Sequence, residues 1–201
     1  MLSIHEELTA LARALGLPAD GLRLPEVTVD PDAIRVAVVN EGPPPDPADA
    51  FWATGDPADL RSALALFADA GVEAQSLSDL IGRGLYLTTA IKTPKTEYAV
   101  DPAVLAAHLP LLSRELSLFP HLQAIVLAGD VARKAVNQLA KAQTGRNVIP
   151  SGATYRIRGG DFRWGGLRVF PSYVITGGNL LIEKSKRTMI AEDLRRVQEL
   201  L

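Results

Sequence analysis

The stretch AIRVAVVNEGPPP, Ala33 to Pro45, decides the fold of this chain. Its apolar run ends at Val39 and predicts a strand covered on both faces, because only such a strand is apolar at nearly every position. The run leads into Asn40, Glu41 and then three prolines, which fix the backbone of the turn and end strand pairing. A carboxylate on a stiff turn at the end of a buried strand is a candidate functional group, and its simpler interpretation is a solvated turn residue.

Three further apolar runs predict strands, and they are LYLTTAI (Leu85–Ile91), AIVLAG (Ala124–Gly129) and LRVFPSYVI (Leu167–Ile175). Helical patterns lie between and after them, at residues 56–71, 101–119, 129–142 with Asp130 as N-cap, and 180–201. Strands separated by helices pair in parallel through right-handed crossovers, which predicts an α/β sandwich. The segment TYRIRGGDFRWGGLRVF predicts an inserted β-hairpin that turns at Gly159 and Gly160.

Composition limits the classes of protein to be considered. The 201 residues are 47% hydrophobic and contain no cysteine. One core and a single domain over residues 1–201 are therefore expected, without a disulfide framework, thiolate metal site or cysteine nucleophile. No apolar run approaches the roughly 20 residues of a membrane span, and Glu6 and Glu7 do not fit a signal peptide. We expect a soluble, cytoplasmic monomer without metal or cofactor.

Charge is distributed unevenly along the chain. Residues 1–80 carry 4 basic and 14 acidic side chains, residues 81–145 carry 7 and 4, and residues 146–201 carry 10 and 5. The basic C-terminal part suits contact with phosphates, and a solvated helix face explains it equally well. Lys184, Lys186 and Arg187 lie in the first turns of the final predicted helix, where cations oppose the helix dipole. A phosphate partner would account for that placement.

The carboxyl ends of parallel strands are the expected place for a ligand, because their loops converge at one edge of the sheet. None of the three histidines is predicted there. Two consecutive glycines, Gly177 and Gly178, permit close backbone approach to a ligand. The chemistry-bearing residues expected at this edge are Asn40, Glu41, Thr88, Thr89, Lys92, Gly129, Asp130, Thr176 and Asn179.

From Ala33 to the C-terminus, the order of segments resembles the uracil-DNA glycosylase superfamily, in particular its iron-sulfur branch. NEGPP is similar to that branch's Gly-Glu-Ala-Pro-Gly, with Glu41 and Pro43 in the matching places. Phe51 or Trp52 matches the phenylalanine that stacks on a flipped base. The resemblance implies a three-layer α/β sandwich with a central four-stranded parallel sheet.

The sequence also departs from the pattern of that family. YLTTAIK resembles the family's Tyr-Ile-Thr-Asn-Val-Val-Lys, but Thr89 stands where the family has its base-reading asparagine. The family's His-Pro-Ser motif falls on Val174, Ile175 and Thr176, so its histidine is absent, and the cysteines of the iron-sulfur cluster are missing as well. The resemblance therefore implies the fold more directly than it implies uracil-specific activity.

The function that the resemblance implies is a DNA glycosylase, which hydrolyses the N-glycosidic bond of uracil or another deaminated base. Glu41 and Asn40 are its expected catalytic residues, and DNA is its expected partner. The expected base-binding residues are Phe51, Trp52, Thr89, Gly177, Gly178 and Asn179. The expected phosphate contacts are Lys92, Lys95, Thr176, Lys184, Lys186 and Arg187.

Two other functions remain open at this point. One is a catalytically silent module that binds nucleic acid or a nucleotide through the same cleft. The other is a hydrolase or transferase of free nucleosides, which fits the acidic N-terminal part better. Individual residues also have simpler interpretations, because Phe51 and Trp52 are typical of a core cover and Thr89 of an ordinary strand position.

Overall fold

The computed structural model describes residues 1–95, 97, 99–177 and 183–201. The strands are Leu2–Ser3 (β1), Thr28–Val29 (β2), Val36–Asn40 (β3), Leu85–Thr89 (β4), Ala124–Ala128 (β5), Phe162–Trp164 (β6) and Leu167–Ser172 (β7). The helices are Ile4–Ala14 (α1), Ala58–Asp69 (α2), Leu77–Gly82 (α3), Pro102–Ser117 (α4), Asp130–Thr144 (α5), Thr154–Ile157 (α6) and Lys184–Gln198 (α7). A short 3-10 turn spans Pro47–Asp49.

The central sheet has the strand order β4-β3-β5-β7-β6. β3 pairs in parallel with both β4 and β5, and β5 pairs in parallel with β7. The predicted four-stranded parallel sheet is therefore confirmed, and β6 extends it as an antiparallel edge strand. Asn40 lies opposite both Thr89 and Ala128, so β3, β4 and β5 end level with one another.

Two hydrophobic cores, one on each face of the sheet, make the three layers. Ala37 and Val39 of β3 belong to the core that α1, α4 and α5 complete. Val36 and Val38 point to the other face, where α2, α3 and α7 supply the core. Because successive side chains of a strand alternate between faces, a strand that is apolar throughout requires helices on both sides. The predicted α/β sandwich is thus confirmed.

The predicted hairpin is present, but its turn was assigned to the wrong glycines. Thr154–Ile157 forms α6, and the chain turns instead between β6 and β7, at Gly165 and Gly166, where Gly165 has φ +58. A Cβ at Gly160 would lie 2.5 Å from the Phe162 ring. That glycine makes room for an aromatic side chain and does not reverse the chain.

Element ends differ from the predicted ones by a few residues. β4 ends at Thr89 and β7 at Ser172, whereas the sequence predicted strands as far as Ile91 and Ile175. The described part of the final helix begins at Lys184, and residues 180–182 lie outside the described residues. None of the described helices has both the length and the apolar character needed to cross a membrane.

Candidate functional site

A cleft of about 450 Å³ lies where the loops after β3, β5 and β7 come together at the carboxyl edge of the sheet. Its position agrees with the general rule for ligand sites in open parallel sheets. The lining residues are Glu41, Lys95, Ala99, Val100, Leu105, Gly129, Asp130, Val131, Lys134, Thr154, Ser172, Tyr173 and Val174.

Glu41 is the most firmly held side chain in this cleft. Its Oε1 accepts hydrogen bonds from the backbone N–H groups of Asp130, at 2.9 Å, and Val131, at 3.2 Å. Its Oε2 forms an ion pair with the ammonium of Lys95. The first N–H groups of a helix have no partner within the helix, so Glu41 caps α5 from the end of another strand. The predicted N-cap, Asp130, is wrong, since the cap position is Gly129 and Asp130 is the first helical residue.

Gly129 occupies a position that only glycine fits. Its φ is +112, and a Cβ built there would lie 2.6 Å from Glu41 Oε1 and 2.7 Å from Val174 Cγ2. The loops after β3, β5 and β7 therefore meet at this one residue. Because Gly129 has no side chain, it leaves the room in which the Glu41 carboxylate reaches the end of α5.

The cleft is balanced in charge, with its cations at different depths. Lys95 pairs with Glu41 inside the cleft, whereas the Lys134 side chain is 63% exposed and lies 4.0 Å from Asp130. Arg133 also bonds Asp130, at 2.5 Å from Nη2 to Oδ1, and donates to the Gly152 carbonyl. The inner cleft therefore suits an uncharged polar group, and Lys134 places a positive charge at its mouth.

Ser172, at the end of β7, was missed by the sequence reasoning. Its hydroxyl donates to Asp193 Oδ2 of α7 at 2.7 Å, and the Asp193 carboxylate also pairs with Arg158, at 3.0 Å. Burial raises the pKa of Asp193, while the hydrogen bonds from Ser172 and Arg158 act in the opposite direction. The predicted strand ran on to Ile175 and hid Ser172 in its interior. A correctly placed strand end would have identified it.

Asn40 and Thr176, both predicted site residues, are brought together by a hydrogen bond. Asn40 Nδ2 donates to Thr176 Oγ1 at 2.9 Å. Asn40 is buried, and its Oδ1 has no hydrogen-bond partner among the residues that the structure describes. This hydrogen bond links the end of β3, where Asn40 directly precedes Glu41, to the segment after β7.

Lys92, a predicted phosphate contact, is completely buried, so that prediction is wrong for this conformation. Its ammonium lies 2.6 Å from Glu115 Oε2 and also donates to Thr88 Oγ1 and the Thr89 carbonyl. Glu115 Oε1 accepts from the hydroxyls of Tyr86 and Thr88. Burial lowers the pKa of Lys92 and raises that of Tyr86. This network joins β4 to α4 beneath the surface.

Of the predicted base-binding residues that the structure describes, none lines the Glu41 cleft. Thr89 is buried and its hydroxyl donates to the Ile91 carbonyl, while Phe51 belongs to the core under α2. Trp52 lines a separate depression of about 400 Å³, together with Pro43 and Pro44. Gly177 is exposed with φ +100, and Gly178 and Asn179 lie outside the described residues. The simpler interpretation of Phe51, a cover over the core, is the one observed.

The three predicted phosphate contacts on α7, Lys184, Lys186 and Arg187, are also not among the residues that line the cleft. Arg187 forms a two-point ion pair with Asp69 of α2, in which Nη2 lies 2.9 Å from Oδ1. Hydrogen bonding between them raises the pKa of Arg187 and lowers that of Asp69. Lys186 lies 2.6 Å from Glu183, and Lys184 is exposed. Arg187 therefore joins two helices, and Lys184 is the least engaged of the three.

Histidines do not line the cleft in the described part of the chain. His108 is buried in α4, and its Nδ1 accepts from the backbone N–H of Lys92 at 3.1 Å. Among the described residues there is no group of three or more His, Cys, Asp or Glu side chains that could hold a metal ion. The polar chemistry of the cleft thus comes from carboxylate, ammonium and hydroxyl groups.

No protein-family model and no curated protein matches the chain. Among solved structures, a single-site mutant of the UNG from Nitratifractor salsuginis is 15% identical, with a TM-score of 0.45, and the match covers 98% of this chain and 87% of that one. The wild-type UNG from the same organism is 13% identical, with a TM-score of 0.42 and coverage of 100% and 99%.

Proposed function

We propose that this chain binds DNA and hydrolyses the N-glycosidic bond of a deaminated base in the Glu41 cleft. The observation that carries the proposal is the fixed carboxylate. Glu41 lies at the carboxyl edge of a parallel sheet, bonded by two backbone N–H groups of α5 within a cleft of about 450 Å³. A cleft of this volume is in the range of small-molecule sites and accommodates a nucleobase.

Hydrolysis of the N-glycosidic bond requires a negatively charged group close to the sugar. A water oxygen forms a bond to C1′ while the bond from C1′ to the base nitrogen breaks and its electron pair leaves with the base. The water gives its proton to a proton acceptor, and the departing nucleobase takes up a proton from solvent. Positive charge grows on the sugar in the transition state, and a carboxylate positioned near it stabilises that charge.

Glu41 has limited capacity to accept that proton. A carboxylate offers about four lone-pair sites, and three of them are used by Asp130, Val131 and Lys95. Among the residues that the structure describes, no further group bonds Oε2, so one of its sites is left for a water molecule. The second candidate function, a binding module without catalysis, is favoured by this engagement and by the absence of histidine from the described lining.

The test is a panel of oligonucleotides, each carrying one uracil, hypoxanthine or other damaged base, with strand cleavage at abasic sites as the readout. We expect cleavage with at least one deaminated base. Glu41→Gln keeps an acceptor for α5 but removes the charge, so activity should fall on the order of a hundredfold or more. Glu73→Gln, at an exposed position, is the matched control and should retain wild-type activity.

The other outcomes select the remaining functions. Tight binding of oligonucleotides without cleavage of any of them would establish the binding module. Cleavage of free nucleosides with no effect of added salt would establish the nucleoside hydrolase, because a neutral nucleoside releases no counterions. Full activity in Glu41→Gln would show that the carboxylate only caps α5 and would end the catalytic assignment.

A further inference from the structure

The hydroxyl of Ser172 has a fixed direction, and that direction limits what the cleft can recognise. Ser172 ends β7, lines the cleft and donates its proton to Asp193. We propose that Ser172 is a specificity-determining residue, whose oxygen accepts a hydrogen bond from an N–H group of the bound base. The inference rests on the proposed function and deepens it, because it names the group of the base that the cleft reads.

Asp193 fixes the direction of the Ser172 hydroxyl. The carboxylate is 1% exposed, and an ionised carboxylate can only accept hydrogen bonds. Arg158 supplies its counter-charge, with Nη2 at 3.0 Å from Oδ1 and Nε donating to Oδ2. Arg158 is itself held on α7 by the Met189 carbonyl and by Glu192. Asp193 Oδ2, the acceptor of the Ser172 hydrogen bond, is therefore also held by Arg158 Nε.

A hydroxyl has one proton and two acceptor lone pairs. Since the proton of Ser172 is given to Asp193, only lone pairs of its oxygen remain to meet a ligand in the cleft that Ser172 lines. A ligand acceptor placed against it would be left unpaired, which is costly in a buried site, whereas an N–H donor would be satisfied. Ser172 thus selects a donor and rejects an acceptor.

This selection matches the change that deamination makes in a base. Cytosine and adenine present an unprotonated ring nitrogen beside their amino group, and deamination converts this pair into a ring N–H beside a carbonyl. Ser172 accepts from the new N–H. The ammonium groups of Lys95 and Lys134, which can only donate, are the complementary partners for the carbonyl oxygens. The ligand class is therefore a base with an N–H group next to a carbonyl.

The test compares two probes that differ only at the N–H group. A short single-stranded oligonucleotide carries either one deoxyuridine or one N3-methyl-deoxyuridine, and its Kd is measured by fluorescence anisotropy. For the wild-type chain, methylation should weaken binding about tenfold, the equivalent of one hydrogen bond. In Ser172→Ala, the penalty should fall below about twofold. Ser62→Ala removes a buried hydroxyl from α2 and should keep the wild-type penalty.

A second variant leaves Ser172 in place. The amide of Asp193→Asn can donate to the Ser172 oxygen, which releases the hydroxyl proton toward the cleft, so the penalty for methylation should shrink here also. An unchanged penalty in a folded Ser172→Ala protein overturns the assignment of Ser172 and leaves the proposed function standing. If the wild-type chain binds neither oligonucleotide, the proposed function and this inference both fail.

Discussion

At the scale of single residues, Gly129 meets the strictest requirement in the site. Replacement by alanine forces a Cβ to within 2.6 Å of Glu41 Oε1 at a φ of +112. We expect Gly129→Ala to lower the free energy of unfolding and to displace the Glu41 carboxylate from α5. Gly55→Ala is the matched control, because Gly55 has φ +91 and open space around it.

The two variants separate backbone strain from crowding. Both place an alanine at positive φ, and only Gly129→Ala adds overpacking, so it should be about 1 to 3 kcal/mol less stable than Gly55→Ala. Urea denaturation of both proteins measures this difference. Equal losses in the two variants would mean that Glu41 and Val174 yield easily, and that the three loops are not tightly joined.

The sequence predicted the edge of the sheet at which Glu41 lies, but not the bonds that hold its carboxylate. A buried strand that stops at a carboxylate can be recognised locally, and Glu41 is where that pattern puts it. Lys95 and Asp130 lie 54 and 89 residues further along the chain, so only the folded sheet brings them to it. For Lys92, the place itself was predicted wrongly, because the side chain is buried. Lysine is rarely buried unless paired, and the pairing partner, Glu115, carries no local signal.

At the scale of helices and strands, the sequence predicted the four parallel strands because their apolar runs are continuous and helices separate them. The short helix α6 was not predicted, because four residues are too few to show a helical period. Strand ends were placed two and three residues too late at β4 and β7, since apolar and β-branched residues continue beyond the last ladder pair. The late end of β7 hid Ser172, whereas Thr89 entered the predicted site through the family resemblance.

The buried pair of Lys92 and Glu115 connects β4 to α4, and its removal tests that connection. In Glu115→Gln the amide leaves the Lys92 ammonium without a counter-charge, so the free energy of unfolding should fall by about 3 to 5 kcal/mol. The double variant Lys92→Met with Glu115→Gln removes the uncompensated charge and should recover part of that loss. Urea denaturation of the wild type, of the single variants Lys92→Met and Glu115→Gln, and of the double variant gives the coupling energy between the two side chains. Strictly additive losses would show that the two side chains contribute independently.

At the scale of the whole molecule, several basic side chains of the C-terminal part are engaged in contacts within the protein. Arg187 joins α7 to α2, Arg158 donates to the Met189 carbonyl of α7, and Arg196 of α7 donates to the Arg158 carbonyl. Much of the positive charge therefore serves tertiary contacts. On α5, Lys134 lines the candidate site, and it gives a direct way to locate a DNA strand.

Lys134 and Lys141 lie on α5 and differ in their distance from the cleft. Lys134 lines the mouth, and Lys141 is exposed two turns further along, about 10 Å away by helix geometry. If a strand crosses the mouth of the cleft, Lys134→Ala should weaken DNA binding similarly for all sequences and reduce the slope of log Kobs against log salt by about one. Lys141→Ala removes the same charge from the same helix and should leave the slope unchanged. Titrations of one oligonucleotide at several salt concentrations measure both slopes. Equal reductions in the two variants would mean that DNA responds to the general charge of α5, and a strand path across the Glu41 cleft would have to be abandoned.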